Sequence, residues 1–144
     1  DTTKNIRRDG EFVVNLCDLA IAQQMVDCGH PFDDAVDEID VTGLTSVKSL
    51  KVTPPRIAEA PASMECRVFQ CIEFPRRVIV LGEVVQMHVR DACLDADGHY
   101  VRPEVYQPIA RLHADNYLVA DRQFVLTESA DIKSAANPQG RNHG

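Results

Sequence analysis

Apolar and polar residues alternate along two neighbouring segments in the middle of the chain. Most even positions are apolar between residues 64 and 74, and several odd positions are apolar between residues 78 and 89. A period of two is typical of a strand that buries one face, so each segment is predicted to be a long strand. The short polar turn at residues 75–77 predicts an antiparallel hairpin, and Gly82 is expected to permit a bend or bulge in its second strand.

Shorter apolar runs predict the elements around this hairpin. Residues 11–17 indicate a buried strand, and Asp18 is placed to cap a helix that extends to about Cys28. The remaining predicted features are a short helix over residues 33–39, a linker at residues 54–55, a polar turn at residues 95–98, a helix after Pro103 and a last strand over residues 117–126. The fold class is therefore mainly β with inserted helices, arranged as a small antiparallel barrel over residues 1–128 and followed by a polar tail over residues 129–144.

Length, charge and cysteine content narrow the functional classes. A chain of 144 residues suits one domain with a hydrophobic core, and its formal net charge of −7 argues against nucleic acid as the main partner. No apolar run approaches the roughly 20 residues that cross a bilayer, so no membrane partner is expected. The five cysteines are odd in number and irregularly spaced, which fits reduced thiols and a cytoplasmic location.

The start of the chain is unusual because residue 1 is Asp1 rather than methionine, and the polar residues after it do not form a secretion signal. We therefore expect the sequence to begin inside a longer natural chain, with N-terminal strands of the barrel missing. A product of signal-peptide cleavage is the alternative. A missing N-terminal piece would hold part of any site built at that end of the barrel.

The familiar catalytic and metal-binding motifs are absent from the sequence. There is no GxSxG elbow, no P-loop and no GxGxxG fingerprint. Cys28 and His30 offer two metal ligands, whereas a closed zinc site needs four, and residues 95–98 fit an ordinary turn better than a calcium loop. His88 is interpreted as a histidine satisfied within the barrel wall. No catalytic residue and no metal site are predicted.

Two polar segments stand out for their positions. Residues 1–8 combine hydroxyls, an amide and three cations just before a buried strand, and such groups bind a phosphate dianion. Residues 108–117 form a polar and aromatic stretch between two structured regions. Taken alone, each segment also fits an ordinary exposed loop, and the first also fits the exposed start of a helix.

Five motifs in order along the chain resemble the flavin reductase-like proteins with an FMN-binding split barrel. The motifs are DTxxNI at residues 1–6, EFVVNL at 11–16, APASMEC at 60–66, VLGEVVxxHV at 80–89 and RLxxxxY at 111–117. The resemblance implies a split antiparallel β-barrel. It also implies a homodimer that holds FMN near the subunit interface, and we expect this chain to bind FMN less tightly than one that carries the upstream strand.

The resemblance also implies roles for particular residues. It places seven residues at the flavin, namely Asp1, Thr2, Thr3, Lys4, Asn5, Arg7 and Tyr117. It places Arg111, Leu112 and His113 on the side of the nicotinamide. Many relatives have glycines after the Arg-Leu pair, and the bulkier His113 and Ala114 stand there in this chain, which is expected to alter substrate access.

Three functions are compatible with this resemblance. The first is NAD(P)H-dependent reduction of FMN, or of FAD as a substrate, with reduced flavin passed to a partner oxygenase. Hydride transfer to a flavin requires no protein nucleophile, so the absence of a catalytic motif agrees with it. The second is a flavoredoxin-like electron carrier that binds FMN, and the third is a barrel that has lost its cofactor and catalyses nothing. The resemblance favours the first function.

Overall fold

The computed structural model describes residues 2–32, 37–129 and 132, and it is mainly β with few helices. The helices are α1 (Thr2–Asp9), α2 (Ala22–Asp27) and α3 (Glu38–Val41), with 3₁₀ turns at Leu19–Ile21 and Asp91–Cys93. The strands are β1 (Glu11–Asn15), β2 (Ser46–Val47), β3 (Arg56–Ile57), β4 (Ala62–Phe74), β5 (Arg77–Val89), β6 (Ile109–His113) and β7 (Asn116–Val119). No helix in these described ranges is long and apolar enough to span a membrane.

The central sheet has the order β1-β4-β5, and all of its pairs are antiparallel. The long hairpin predicted from the alternation is confirmed, with Phe74 opposite Arg77 at the turn and Ala62 opposite Val89 at the base. The strand predicted at residues 11–17 is also confirmed, but it ends at Asn15 and none of its residues is fully buried.

Two bulges interrupt the register of the hairpin. Its inner half is residues 62–68 and 82–89, and its outer half is residues 69–81. Phe69 is an extra residue in β4, and Val85 is an extra residue in β5. Each bulge moves the alternation of side chains by one position, so Ile72 and Ile79 lie on the face opposite to Cys66. The single apolar face predicted for each strand is therefore wrong. Large apolar side chains of the outer half are exposed, namely Phe69, Ile72, Phe74, Ile79 and Leu81.

Gly82 lies opposite Val68, beside the bulge at Phe69, but that bulge is in β4, whereas the bulge of β5 is at Val85 rather than at Gly82, where it was expected. The ring of Phe12 on β1 crosses this position closely. A Cβ atom on Gly82 would lie 2.5 Å from Phe12 Cζ and 3.3 Å from Cys66 Cβ. Only glycine leaves room for the ring at this crossing, so the packing of β1 on the hairpin depends on it.

A cover segment, residues 45–58, lies over the inner half of the sheet and is held mainly by polar contacts. Thr53 N donates to Glu11 Oε2 at 2.8 Å, and Ile57 N donates to Asn15 Oδ1 at 3.1 Å. The strands β2 and β3 pair with each other inside this segment. Residues 54–55 have no regular structure, as predicted, but they join β2 to β3 within the cover segment rather than linking two layers.

The helix predicted after Asp18 is confirmed, although it is broken into a 3₁₀ turn and α2. The buried Asp18 carboxylate accepts from Ala20 N at 3.1 Å, which satisfies one free N–H group at the start of the turn. Residues 33–36 of the next predicted helix lie outside the described residues. The described helix there, α3, follows Asp37, whose side chain accepts from Ile39 N at 2.9 Å.

The C-terminal third differs most from the sequence-based predictions. The prediction of a helix after Pro103 is wrong, because residues 103–105 form a turn. An ordinary loop was the alternative prediction for residues 108–117. These residues instead contain β6 and the first two residues of β7, which pair as a β-hairpin. The strand predicted over residues 117–126 ends at Val119, since β7 pairs with β6 and Val119 faces the first residue of that strand. The tail predicted from residue 129 lies almost wholly outside the described residues.

Candidate functional site

The first predicted half of the site forms helix α1. The side chain of Thr3 is half-buried, and those of Thr2, Lys4 and Asn5 are exposed near the start of the helix. The N–H groups of a first helical turn have no partner within the helix and carry partial positive charge. Hydroxyls, an amide and a lysine beside them suit an anionic group. Asp1 lies outside the described residues.

Arg7 has a partner within the chain. Its Nη2 lies 2.7 Å and 2.6 Å from the two carboxylate oxygens of Glu73, near the tip of the β4–β5 hairpin. Both side chains are about half exposed, so the ion pair contributes less than about 1 kcal/mol to stability. The contact joins the second turn of α1 to the outer half of the hairpin.

The second predicted half of the site forms the β6–β7 hairpin. Arg111 Nε donates to Ala114 O at 2.9 Å, and Arg111 Cζ lies 5.9 Å from the centre of the Tyr117 ring. Leu112 and His113 are exposed beside the turn. Ala114 has a φ of 47°, a left-handed conformation that glycine adopts more easily. The chain therefore brings Arg111 and Tyr117 together and orders the turn without a glycine.

One chain does not bring the two halves together. The helix α1 leads into the first residue of β1, whereas Pro108, directly before β6, bridges to Asp18 beyond the last residue of β1. Within the described part of the chain, no hydrogen bond or ion pair joins α1 to the β6–β7 hairpin. The predicted flavin residues on α1 are thus anchored at the opposite end of β1 from Tyr117, which is also predicted to lie at the flavin, and from the predicted nicotinamide residues.

Sequence reasoning missed a buried ionic centre at Glu65. The side chain of Glu65 is 0% exposed and accepts three hydrogen bonds. The donors are Leu50 N at 2.8 Å, Lys51 N at 2.6 Å and His88 Nε2 at 2.6 Å. This contact confirms His88 as a satisfied histidine of the wall. The centre joins the cover segment to both strands of the hairpin.

The electrostatic state of Glu65 follows from these contacts. Burial alone raises the pKa of the carboxyl, but hydrogen bonds from Leu50, Lys51 and His88 outweigh it and lower the pKa to about 2. Glu65 is therefore ionised at neutral pH. The alternation over residues 64–74 places Glu65 at a polar position of its strand, and this pattern contains no sign that the position is buried. The signal that could have found the contact with His88 is the hairpin turn. Counting back from the turn pairs Ser63 with His88, because each strand contains one extra residue and the two shifts in register cancel.

Acid is expected to weaken the fold through Glu65. Its pKa is about 2 in the folded chain against an ordinary value of 4.5. Because the folded pKa is the lower one, the stabilisation is complete above pH 4.5 and is lost as the pH falls towards 2. We expect the free energy of unfolding, measured in urea, to fall more steeply over this range in the native protein than in Glu65→Gln. Parallel curves for the two proteins would contradict an ionised Glu65.

The other candidate ligands do not form a metal centre. Cys28 Sγ lies 3.4 Å from Thr42 Oγ1, and the described residues contain no group of three or more His, Cys, Asp or Glu side chains placed to hold a metal. Asp95 Oδ1 accepts from His99 N at 2.8 Å and Tyr100 N at 3.2 Å, which confirms an ordinary turn. All five cysteines are free.

Comparison with known proteins identifies the family. Residues 1–107 match the flavin reductase like domain. An uncharacterized protein of Aquifex aeolicus is 35% identical over 120 residues, a match that covers 83% of this chain and 61% of that protein. The chain belongs to the flavin reductase like domain family.

Solved structures show the same fold. The 2-nitrobenzoate 2-nitroreductase of Pseudomonas fluorescens matches with a TM-score of 0.80 and 36% identity, over 90% of this chain and 65% of that chain. Nitrilotriacetate monooxygenase component B from Bacillus cereus matches with a TM-score of 0.79 and 28% identity, over 88% and 64%. A split barrel domain structure from Shewanella frigidimarina matches with 0.77 and 22% identity, over 89% and 65%. The split antiparallel β-barrel is confirmed, and the chain spans less than two thirds of each of these proteins.

Proposed function

We propose that this chain is the flavin-binding part of an NAD(P)H-dependent flavin reductase with FMN as its cofactor. The observation that carries the proposal is the family match over residues 1–107, which contains the whole of α1 and of the β4–β5 hairpin. FAD is a substrate of the same site in this proposal. The 28% identity to a monooxygenase component B supports a partner oxygenase that receives reduced flavin.

The polar groups of α1 fit the phosphate of FMN. Thr2, Thr3 and Asn5 offer hydrogen-bond donors near the start of the helix, and Lys4 adds an exposed positive charge. Asp1 is proposed to contact the flavin away from the phosphate, because its carboxylate repels that anion. Arg7 is held by Glu73, so its part is to position α1 on the hairpin.

The β6–β7 hairpin supplies the proposed reaction side. When bound, FMN supplies a ring that accepts a hydride from NAD(P)H. Tyr117 packs near the flavin, while Arg111, Leu112 and His113 orient the nicotinamide and exclude water. No side chain is required to act as nucleophile, acid or base. The rate therefore depends on how these residues position the two rings.

A homodimer is part of the proposal, because a single chain keeps α1 apart from the β6–β7 hairpin. The outer half of the β4–β5 hairpin offers a surface for the second copy, where Phe69 is 76% exposed and Phe74 is 52% exposed. Grouped, exposed apolar side chains mark an interaction surface. We propose that the dimer sets α1 of one chain beside β6–β7 of the other, with FMN near the interface.

A flavoredoxin-like electron carrier is the second candidate. The observation that favours it is the turn of the β6–β7 hairpin, where exposed His113 precedes Ala114 in a left-handed conformation. Side-chain bulk at this turn hinders a nicotinamide ring, which must come close to the flavin, more than it hinders the transfer of a single electron. Such a protein binds FMN and reacts slowly with NAD(P)H.

The test uses the full-length protein incubated with excess FMN. We expect a flavin absorption spectrum, consumption of NADH or NADPH, and a dimer in analytical ultracentrifugation. A bound flavin with negligible NAD(P)H consumption would favour the electron carrier. The absence of bound flavin and of NAD(P)H consumption would indicate a barrel without a cofactor and overturn the proposal, and a monomer with bound FMN would contradict the shared site.

The variant Lys4→Gln tests the place of the phosphate. We expect FMN binding to weaken about tenfold, because a charge-assisted hydrogen bond contributes on the order of 1.5 kcal/mol. Titration of FMN fluorescence measures the Kd. Lys48→Gln is the matched control, since Lys48 is an exposed lysine beside β2 and its loss is expected to leave the Kd unchanged. Equal Kd values for Lys4→Gln and the native protein would place the phosphate away from α1.

A further inference from the structure

A C-terminal arm, residues 120–129, follows β7 and lies exposed on the surface. Residues 121–129 form no helix or strand and make no hydrogen bond with the rest of the described chain. Phe124, Val125 and Leu126 are 72%, 82% and 83% exposed. Phenylalanine, valine and the following Thr127 favour strands, and the arm contains neither proline nor glycine. The arm therefore has the composition of a strand without a partner strand.

The outer half of the β4–β5 hairpin offers an open edge of the sheet. Among the described strands β5 pairs with β4 alone, so the other edge of residues 77–81 has no strand beside it. Ile79 and Leu81 share one face of β5 and are both exposed. Phe124 and Leu126 have the same spacing of two, so a strand that contains them matches this face. An open edge with apolar side chains accepts an added strand.

The arm is too short to reach this edge within its own chain. Ala120 N donates to Pro108 O at 2.9 Å, at the end of β1 that lies beside the base of the hairpin. Leu126 is six residues further on, which spans at most about 21 Å in an extended chain. Ile79 is ten residues from Val89, the base of β5, and thus about 33 Å along the strand. The edge that the arm fits therefore belongs to a second copy.

We propose that the arm of each chain adds to β5 of a second copy as a further strand, so that two copies exchange their C-terminal arms. The exchange rests on the homodimer of the proposed function and specifies the contact that forms it. Phe69, Phe74 and Phe124 together expose about 400 Å² in each chain. These three rings alone supply about half of the 800 Å² or so that each partner buries in an interface of standard size.

The exchange also joins the two halves of the proposed flavin site. Phe124 is five residues after Val119, the end of β7, so the β6–β7 hairpin lies within about 17 Å of the bound arm. The helix α1 is joined to the outer half of the β4–β5 hairpin through Arg7 and Glu73. An arm on β5 of the second copy therefore draws β6–β7 of one chain towards α1 of the other. A single chain keeps these two elements apart.

Disulfide formation between mixed chains tests the contact. One chain carries Phe124→Cys and the other carries Ile79→Cys or Leu81→Cys, which covers both registers, and all chains carry Cys71→Ser to remove the native thiol of the outer half. With oxidised glutathione we expect a covalent dimer from one of the mixtures and from neither chain alone. Leu118→Cys replaces Phe124→Cys in the control, because it is an exposed position of β7 outside the arm, and is expected to give no covalent dimer.

The variant Leu126→Asp gives a second measurement. We expect the dissociation constant of the dimer, measured by sedimentation, to rise at least tenfold, because a carboxylate is costly to bury against Ile79 and Leu81. The side chain is exposed in the single chain, so the fold itself is expected to persist. Val101→Asp, an exposed apolar position outside the arm, is the control and is expected to leave the constant unchanged.

The outcomes separate the exchange from the proposed function. A covalent dimer from Ile79→Cys alone would show that two hairpins face each other and would overturn the exchange. A dimer that binds FMN but gives no covalent product in either mixture would overturn the exchange and leave the proposed function intact. A covalent product in a mixture without any binding of FMN would support the exchange and contradict the proposed function. A native protein that stays monomeric would also overturn the exchange.

Discussion

Glu65→Gln is expected to lower the free energy of unfolding by about 3 kcal/mol, which raises the unfolded fraction more than a hundredfold. Glutamine keeps the size of the side chain but removes the charge that faces His88 and Arg56. One end of the new amide is an NH₂ group, so it meets either Lys51 N, the donor to Oε2, or Leu50 N and His88 Nε2, the donors to Oε1. A buried N–H without an acceptor costs more than the lost hydrogen bond alone.

The measurement is urea unfolding at neutral pH with Glu73→Gln as the control. Glu73 is on the same strand and is also paired with an arginine, but its side chain is 58% exposed. An exposed pair contributes less than about 1 kcal/mol, so the control is expected to change little. Both variants remove a paired carboxylate charge, but only Glu65 is buried, so the difference between the two losses measures the effect of burial. A loss below 1 kcal/mol in Glu65→Gln would mean that the cover segment is held by other contacts.

Gly82→Val is expected to destabilise the chain by about 2 kcal/mol through overpacking. The new side chain enters the space taken by the ring of Phe12, whose Cζ lies 2.5 Å from the position of a Cβ atom. The half-buried ring must turn aside, or β1 must shift, to make room. The free energy of unfolding in urea measures the effect.

A double variant identifies the cause. Phe12→Leu removes the end of the ring, so Phe12→Leu with Gly82→Val is expected to be more stable than the sum of the two single changes predicts. Gln70→Val serves as the control, because it places the same side chain at an exposed position of β4. Strict additivity in the double variant would show that the loss comes from the strand itself rather than from Phe12.

Local patterns were sufficient where an element depends on its own residues. The hairpin was predicted from the alternation and the short turn. The helical segment after Asp18 was predicted from that residue, whose side chain accepts a hydrogen bond from the N–H group of Ala20, two residues later. Residues 2–9, for which the exposed start of a helix was one of the alternatives, form α1. These predictions succeeded because the interactions concerned span a few residues.

Predictions failed where distant residues decide the outcome. The bulge at Phe69 accompanies the close crossing of Phe12 over Gly82, two residues that are far apart in the sequence. The end of β7 is set by the length of its partner β6, so apolar residues 124–126 did not continue the strand. Periodicity contains no information about such partners, because it records only which face each residue prefers.

By itself the sequence determined the long hairpin, the capped helix, the polar segments at residues 1–8 and 108–117, and the family to which they point. Only the tertiary structure decided that Glu65 is buried and ionised, that Arg56 lies 3.7 Å from it, and that α1 and β6–β7 are anchored apart. The physical reason is that burial and charge pairing depend on which distant segments cover a strand. In this chain the cover segment lies over polar positions of the sheet and buries them, Glu65 among them.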